Sequence, residues 1–149
     1  MKLTPANVNS FLLFKLPAAF LSGVRLKSIN NDESVVSVRY RWINQNPFRS
    51  MYFAVQMMAA ELSTGILVMA AIRESKKNVS MLVAANHAVY HKKVAGRVVF
   101  TCVDGEKVRK TLATIEPGEG ITLNLKSVGI NEAGQTVSEM IFEWTLKLR

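Results

Sequence analysis

Between residues 50 and 72 runs the longest apolar stretch of the chain, rich in Met, Ala and Leu and nearly free of turn residues. A run of that length and composition predicts a helix, with Ser50 as its N-cap. At 1.5 Å per residue it would extend about 30 Å, enough to cross a small domain or a bilayer. Polar content decides between the two. Gln56, Glu61, Ser63 and Thr64 fall near its middle, and a carboxylate at the bilayer centre costs roughly 2.5–3.5 kcal/mol even on the lenient insertion scale. The stretch is therefore expected to be the central helix of a folded domain and not a membrane span.

What would cover that helix is legible in the flanking patterns. Residues 23–29 and 35–43 read as a hairpin about Asn30, Asn31 and Asp32, with Val36, Val38, Tyr40 and Trp42 on one face and Ser37, Arg39 and Arg41 on the other. After Lys76, Lys77 and Asn78, alternation resumes over residues 79–89, 97–103, 120–130 and 137–148, and adds about four strands. The last is the clearest, with Met140, Phe142, Trp144, Leu146 and Leu148 opposite Glu139, Glu143 and Lys147. Asp104-Gly105 and residues 132–135 supply turn chemistry, and Pro117-Gly118 ends whatever precedes it. Residues 4–14 allow a short helix capped by Thr4 with Pro5 at its first position, and Pro17 starts a second turn through Phe20 and Leu21, so residues 4–21 form a short helical segment. Strands grouped around an isolated helix mean α+β, with a mainly antiparallel sheet of about six strands. The 149 residues, 49% of them hydrophobic, suit a single domain spanning residues 1–149.

The net charge of +8 raises nucleic acid as a partner, because clustered Lys and Arg displace counterions from phosphates. Here the cations are dispersed over Arg39, Arg41, Arg49, Lys76, Lys77, Lys92, Lys93, Arg97, Lys107, Arg109 and Lys110 without interleaved aromatics, so no nucleic-acid partner is expected and a general attraction for anionic ligands remains. The one cysteine, Cys102, sits in an apolar run as a buried thiol and permits no intrachain disulfide. Residues 1–16 lack the charged region, apolar run and cleavage site of an export signal. A cytoplasmic location is the expectation. His87 and His91 lie four apart in a strand-like segment without a cysteine or carboxylate at fixed spacing, so no metal site is expected, and lining a site or an interface is their better use.

The order helix, two strands, long helix, four strands, with the long helix entered through Asn44, Gln45, Asn46, Pro47, Phe48, Arg49 and Ser50 and carrying Glu61 in its middle, resembles the hot-dog thioesterase superfamily. The resemblance is to its poorly characterised thioesterase-like branch, a domain of unknown function, and covers about residues 16–148. It implies a long central helix wrapped by a curved antiparallel sheet. It also implies hydrolysis of an acyl thioester of CoA or acyl-carrier protein, without a cofactor, by a homodimer or dimer of dimers whose active sites lie between subunits.

Glu61 stands at the family's acidic position, whereas Tyr52, Phe53 and Ala54 replace a His-Gly-Gly-like helix start. The implied catalytic set is Glu61 as general base or nucleophile, with the backbone amides of Tyr52 and Phe53 as oxyanion donors at the positive end of the helix. Glu61, among Met57, Met58 and Leu62, is expected to have its pKa raised by desolvation. Thr64 and Gly65 share its face and leave room for a ligand. The remaining substrate-binding candidates are Asn46 and Ser50 of the entry loop, Met57 for an acyl tunnel, Asn86, Tyr90 and His91 of the following strand, and Lys92 and Arg97 for CoA phosphates. Two alternatives stand beside this: Glu61 as half of an ion pair across an interface, and a noncatalytic fatty-acyl or lipid-binding protein on the same fold.

Overall fold

The computed structural model describes residues 2–149, so Met1, first of the residues read for an export signal, lies outside the described residues. The chain forms α1 (Pro5–Lys15), α2 (Pro17–Leu21), β1 (Arg25–Ile29), β2 (Ser34–Arg39), a 3-10 turn (Trp42–Asn44), α3 (Phe53–Ser75), β3 (Val79–Tyr90), β4 (Arg97–Cys102), α4 (Gly105–Thr114), β5 (Gly120–Asn131) and β6 (Thr136–Leu148). The strands make one sheet of six in the order β1-β2-β4-β5-β6-β3, and every neighbouring pair is antiparallel. This is the expected α+β architecture, with the sheet curved about α3.

Alternation decides which face of the sheet meets the helix. In β6, Met140, Phe142, Trp144 and Leu146 are buried; in β5, Leu123, Leu125 and Ser127 are. They enclose Val55, Ala59, Ala60, Leu62, Ile66, Leu67 and Val68 of α3. The small residues on α3 let the curved sheet approach closely, and Gly129 does the same for β5. A Cβ there would lie 2.5 Å from the Phe100 ring, so only glycine lets that ring fill the core between β4 and β5. By composition α3 is apolar enough to cross a membrane, but most of its apolar window is buried inside this fold.

The two edges of the sheet differ. The edge formed by β1 is covered by α1, where Asn9 accepts from the Leu26 N–H at 2.8 Å and donates to the Leu26 carbonyl at 3.1 Å. Thr4 caps α1 as expected by accepting from the Asn7 N–H, with Pro5 in the first turn. The opposite edge, the 12-residue β3, has no strand neighbour on its outer side among the described residues.

Three elements depart from the sequence reading. The second strand stops at Arg39 instead of running to residue 43, and Trp42, placed on its buried face, is 82% exposed. Asn44 is the cause. Its side chain accepts from the Arg41 N–H and donates to the Arg39 and Ser22 carbonyls, so it draws the backbone out of the ladder into a 3-10 turn. Ser50 is not the N-cap of α3, which begins at Phe53 after Tyr52; the Ser50 hydroxyl is engaged with the Asn46 side chain instead. Finally, Asp104-Gly105 opens a helix and not a turn between strands. Val108 and Leu112 of α4 are buried one helical turn apart, and a Cβ on Gly105 would lie 2.1 Å from the Asn31 carbonyl, which only glycine avoids.

Candidate active site

Four polar residues of α3 face inward or nearly so, and three of them have found partners. Gln56 accepts from the Ser138 hydroxyl at 2.8 Å, Ser63 and Ser127 share a hydrogen bond at 2.7 Å, and Thr64 accepts from the Trp144 indole N–H at 3.0 Å while donating to the Glu61 carbonyl. Each ties the helix to β5 or β6, so together they set its rotation and height on the sheet. Glu61 is the fourth. Its carboxylate makes no hydrogen bond or ion pair among the described residues, and burial pushes its pKa above the ordinary carboxylate value.

That carboxyl group faces a small apolar cavity of about 70 Å³ between α1, α3 and the sheet. Leu3, Val8, Phe11 and Leu16 close it on one side; Leu62, Gly65, Ile66, Met69, Met81 and Trp144 line the other. Among the described residues, Glu61 is the only charged group in that lining. Gly65 leaves the space beside it open, because a Cβ there would lie 3.1 Å from the Trp144 ring and 3.4 Å from Glu61 Oε1.

A second and larger space, about 530 Å³, lies at the start of α3. Tyr52 and Phe53 line it together with Asn46, Phe48, Ser50 and Gln56 from their own side and Tyr90, His91, Lys92 and Lys93 from across it. The Phe53 ring stands edge-on to Tyr52, at 5.1 Å between centroids, and to Tyr90, at 6.0 Å. Lys93 reaches over the Phe48 ring at 5.7 Å. Burial raises the Tyr90 pKa. His91 is held through Nε2 by Glu139 at 3.0 Å, and Glu139 is held below the ordinary carboxylate value by hydrogen bonds from Lys126 and His91.

The amides at the helix start are not equivalent. The Tyr52 N–H donates to the Asn44 carbonyl at 2.8 Å and the Val55 N–H to the Tyr52 carbonyl at 3.0 Å. Those of Phe53 and Ala54 make no hydrogen bond to described residues. Of the two amides read as oxyanion donors, Phe53 is available and Tyr52 is spent; Ala54 joins Phe53 at the positive end of the helix.

The sequence candidates therefore divide. Asn46, Ser50, Tyr52, Phe53, Tyr90, His91 and Lys92 come together around the helix start, and Glu61 and Gly65 around the cavity. Asn46 and Ser50 shape the loop, since Asn46 Oδ1 accepts from the Phe48 and Ser50 N–H groups. Thr64 is buried against Trp144, and Met57 packs on the core. Asn86 faces a separate depression with His87, Asn124 and Glu143. Arg97, at the start of β4 opposite Arg39, lines neither space. Among the described residues no group of three or more His, Cys, Asp or Glu is placed to hold a metal. Gln56 and Phe48 of the groove, and Trp144 and the α1 side chains of the cavity, were not singled out from sequence for these roles. The apolar residues Val8, Phe11 and Leu12 of the first helix, which need a surface to pack on, were the available signal for α1.

Residues 6–146 match a family described as a domain of unknown function (DUF4442). The chain belongs to that family. No curated protein matches its sequence. Among solved structures it is similar to a protein of unknown function from Chlorobaculum tepidum, with a TM-score of 0.83 at 17% identity over 99% of this chain and 98% of that one. It is also similar to a protein of unknown function from Pseudomonas aeruginosa described as a probable thioesterase, with a TM-score of 0.82 at 19% identity over 98% and 97% of the two chains. A thioesterase from Haemophilus influenzae superposes with a TM-score of 0.73 at 12% identity, over 99% and 93%. At these identities the likeness establishes the fold alone, a hot-dog with α3 as the helix and the six-stranded sheet as its wrapping.

Proposed function

We propose that this protein hydrolyses acyl thioesters of CoA or of a carrier protein, and that it does so as a homodimer. The observation that carries the reading is Glu61, the one inward polar group of α3 left without a partner, set against an apolar cavity with its proton affinity raised. A carboxylate tuned upward is suited to take a proton from water near neutral pH. In the proposed reaction Glu61 removes a proton as water attacks the thioester carbonyl carbon. The oxyanion is held by helix-start amides, the C–S bond breaks, and Glu61 returns the proton to the departing thiolate.

Dimerisation follows from distance. Phe53 and Glu61 are eight residues apart on one straight helix, about 12 Å along its axis, too far for both to contact the same carbonyl. The missing half of each site must come from a second copy, and the uncovered edge of β3 is where an antiparallel strand can add. In this arrangement the Phe53 and Ala54 amides of one protomer serve the Glu61 of its partner, and Lys92 and Lys93 at the groove attract the phosphates of the thiol carrier.

One feature supports a second reading, noncatalytic capture of an acyl ligand. Phe53, packed against Tyr52 and Tyr90, puts a ring where glycines would leave open backbone. Thiol release from an acyl-CoA panel by wild type and Glu61→Gln, at several pH values, separates the two. Glu61→Gln is expected to lower kcat by about a hundredfold to ten-thousandfold, and the acid limb of the wild-type profile is expected above the ordinary carboxylate range. A well-folded wild type that turns over no chain length leaves the binding reading in place.

A further inference from the structure

The proposed chemistry puts a thioester carbonyl beside Glu61, and the acyl tail attached to that carbonyl must then enter whatever apolar space adjoins the carboxyl group. Three spaces compete. The groove at the helix start carries Lys92, Lys93, Asn46 and Ser50 and is not lined by Glu61. The depression between the end of α3 and α4 is lined by Glu74, Lys77 and Arg109. Only the cavity under α1 combines contact with Glu61 and an otherwise apolar wall.

We infer that this cavity is the acyl-tail subsite, that it takes short straight chains, and that Leu3 and Phe11 of the N-terminal segment gauge the length it accepts. The inference rests on the thioesterase reading for the placement of the carbonyl. The size limit comes from volume. A cavity of about 150 Å³ holds benzene, so the 70 Å³ beside Glu61 has room for about three carbons beyond the carbonyl, which corresponds to butanoyl. The limit is firm because the wall is anchored. Val8 and Leu12 of α1 are 1% and 0% exposed, and Asn9 bonds to both backbone groups of Leu26. Phe11 and Leu3 are only partly buried, so they can be altered without removing that anchor.

The test compares kcat/KM for acetyl- through decanoyl-CoA in wild type, Phe11→Ala and Leu3→Trp. For wild type, efficiency is expected to rise about fourfold per added methylene as apolar surface is buried, then to fall beyond butanoyl. Phe11→Ala is expected to carry the rise to longer chains, and Leu3→Trp to cut it back toward acetyl. One profile shared by all three proteins overturns the inference. If no protein hydrolyses any thioester, the catalytic reading has failed. The subsite is then tested by titrating the same three with straight-chain amides from propanamide to decanamide, neutral ligands able to donate to Glu61. A break near butanamide that shifts in opposite directions in the two variants supports it; affinity that climbs evenly in all three overturns it.

Discussion

The middle and the start of α3 place different residues in opposite kinds of surroundings. At Glu61 a single ionisable group is surrounded by Leu3, Phe11, Ile66, Met81 and Trp144, and the space is narrow and apolar. At Tyr52 and Phe53 the helix opens into a groove several times larger, with aromatic rings on one side and His91, Lys92 and Lys93 on the other. Desolvation raises a carboxyl pKa in the first setting; free amides and exposed cations suit an anionic ligand in the second. One helix thus displays two chemically different settings and holds them apart, and the proposed reaction joins them only through a second copy of the chain.

The sharpest way to break that comparison is to remove each half separately and then mix. Phe53→Pro removes the amide hydrogen where proline is tolerated in a helix, and Tyr52, at φ −58° and ψ 130°, already has the backbone a residue before proline prefers. It is expected to lower kcat by about a hundredfold to a thousandfold, and Phe53→Ala, which keeps the N–H, controls for loss of the ring. When Phe53→Pro and Glu61→Gln are unfolded together and refolded, heterodimers carry one intact site, so a random mixture should recover about a quarter of wild-type turnover. No recovery from well-folded dimers would mean that both halves act within one chain.

A smaller effect tests the groove alone. Lys92→Ala with Lys93→Ala is expected to raise KM for an acyl-CoA by about threefold to tenfold with kcat unchanged, an increase that fades in high salt. Acyl-pantetheine, which lacks the nucleotide phosphates, should show no such change. An equal loss on both substrates would place these lysines in the chemistry instead of at its rim.

The smallest effect reads the cavity through stability. Because the folded protein raises the pKa of Glu61 above its ordinary 4.5, the folded state holds this proton more tightly than the unfolded chain. The ionised form therefore destabilises the fold, increasingly as pH climbs from that ordinary value through the raised one, and constantly above it. Glu61→Gln should melt a few degrees above wild type at pH 7, and the gain should disappear as pH falls through 4.5. A variant that melts lower at pH 7 would reveal a partner for Glu61 in the assembled protein.

Much of the fold was legible because burial imposes a period. The alternation in residues 137–148 and the long, mostly apolar run before Ile72 leave few other structures open, and both elements form there. Boundaries were less legible where one side chain overrides the pattern. Asn44 ends β2 by binding the Arg39 carbonyl and the Arg41 N–H at the strand's end, and the Asn46 loop takes the hydroxyl that would otherwise cap α3. The helix α4 was hidden because Asp104-Gly105 has turn chemistry and only Val108 and Leu112 mark its buried stripe.

By itself, the sequence determined that a long apolar helix with a carboxylate at its centre would lie inside a mostly antiparallel sheet, because an ionisable group is costly in hydrocarbon and alternating strands can bury one face. Only the tertiary structure decided that Glu61 would be the polar residue left unpaired. That depends on which hydroxyls, amides and indole the sheet brings opposite Gln56, Ser63 and Thr64, from residues some 64 to 82 positions away in the chain. The closing of its cavity by α1 was likewise a tertiary decision, since periodicity records that Val8 and Phe11 seek an apolar surface but not which surface they meet.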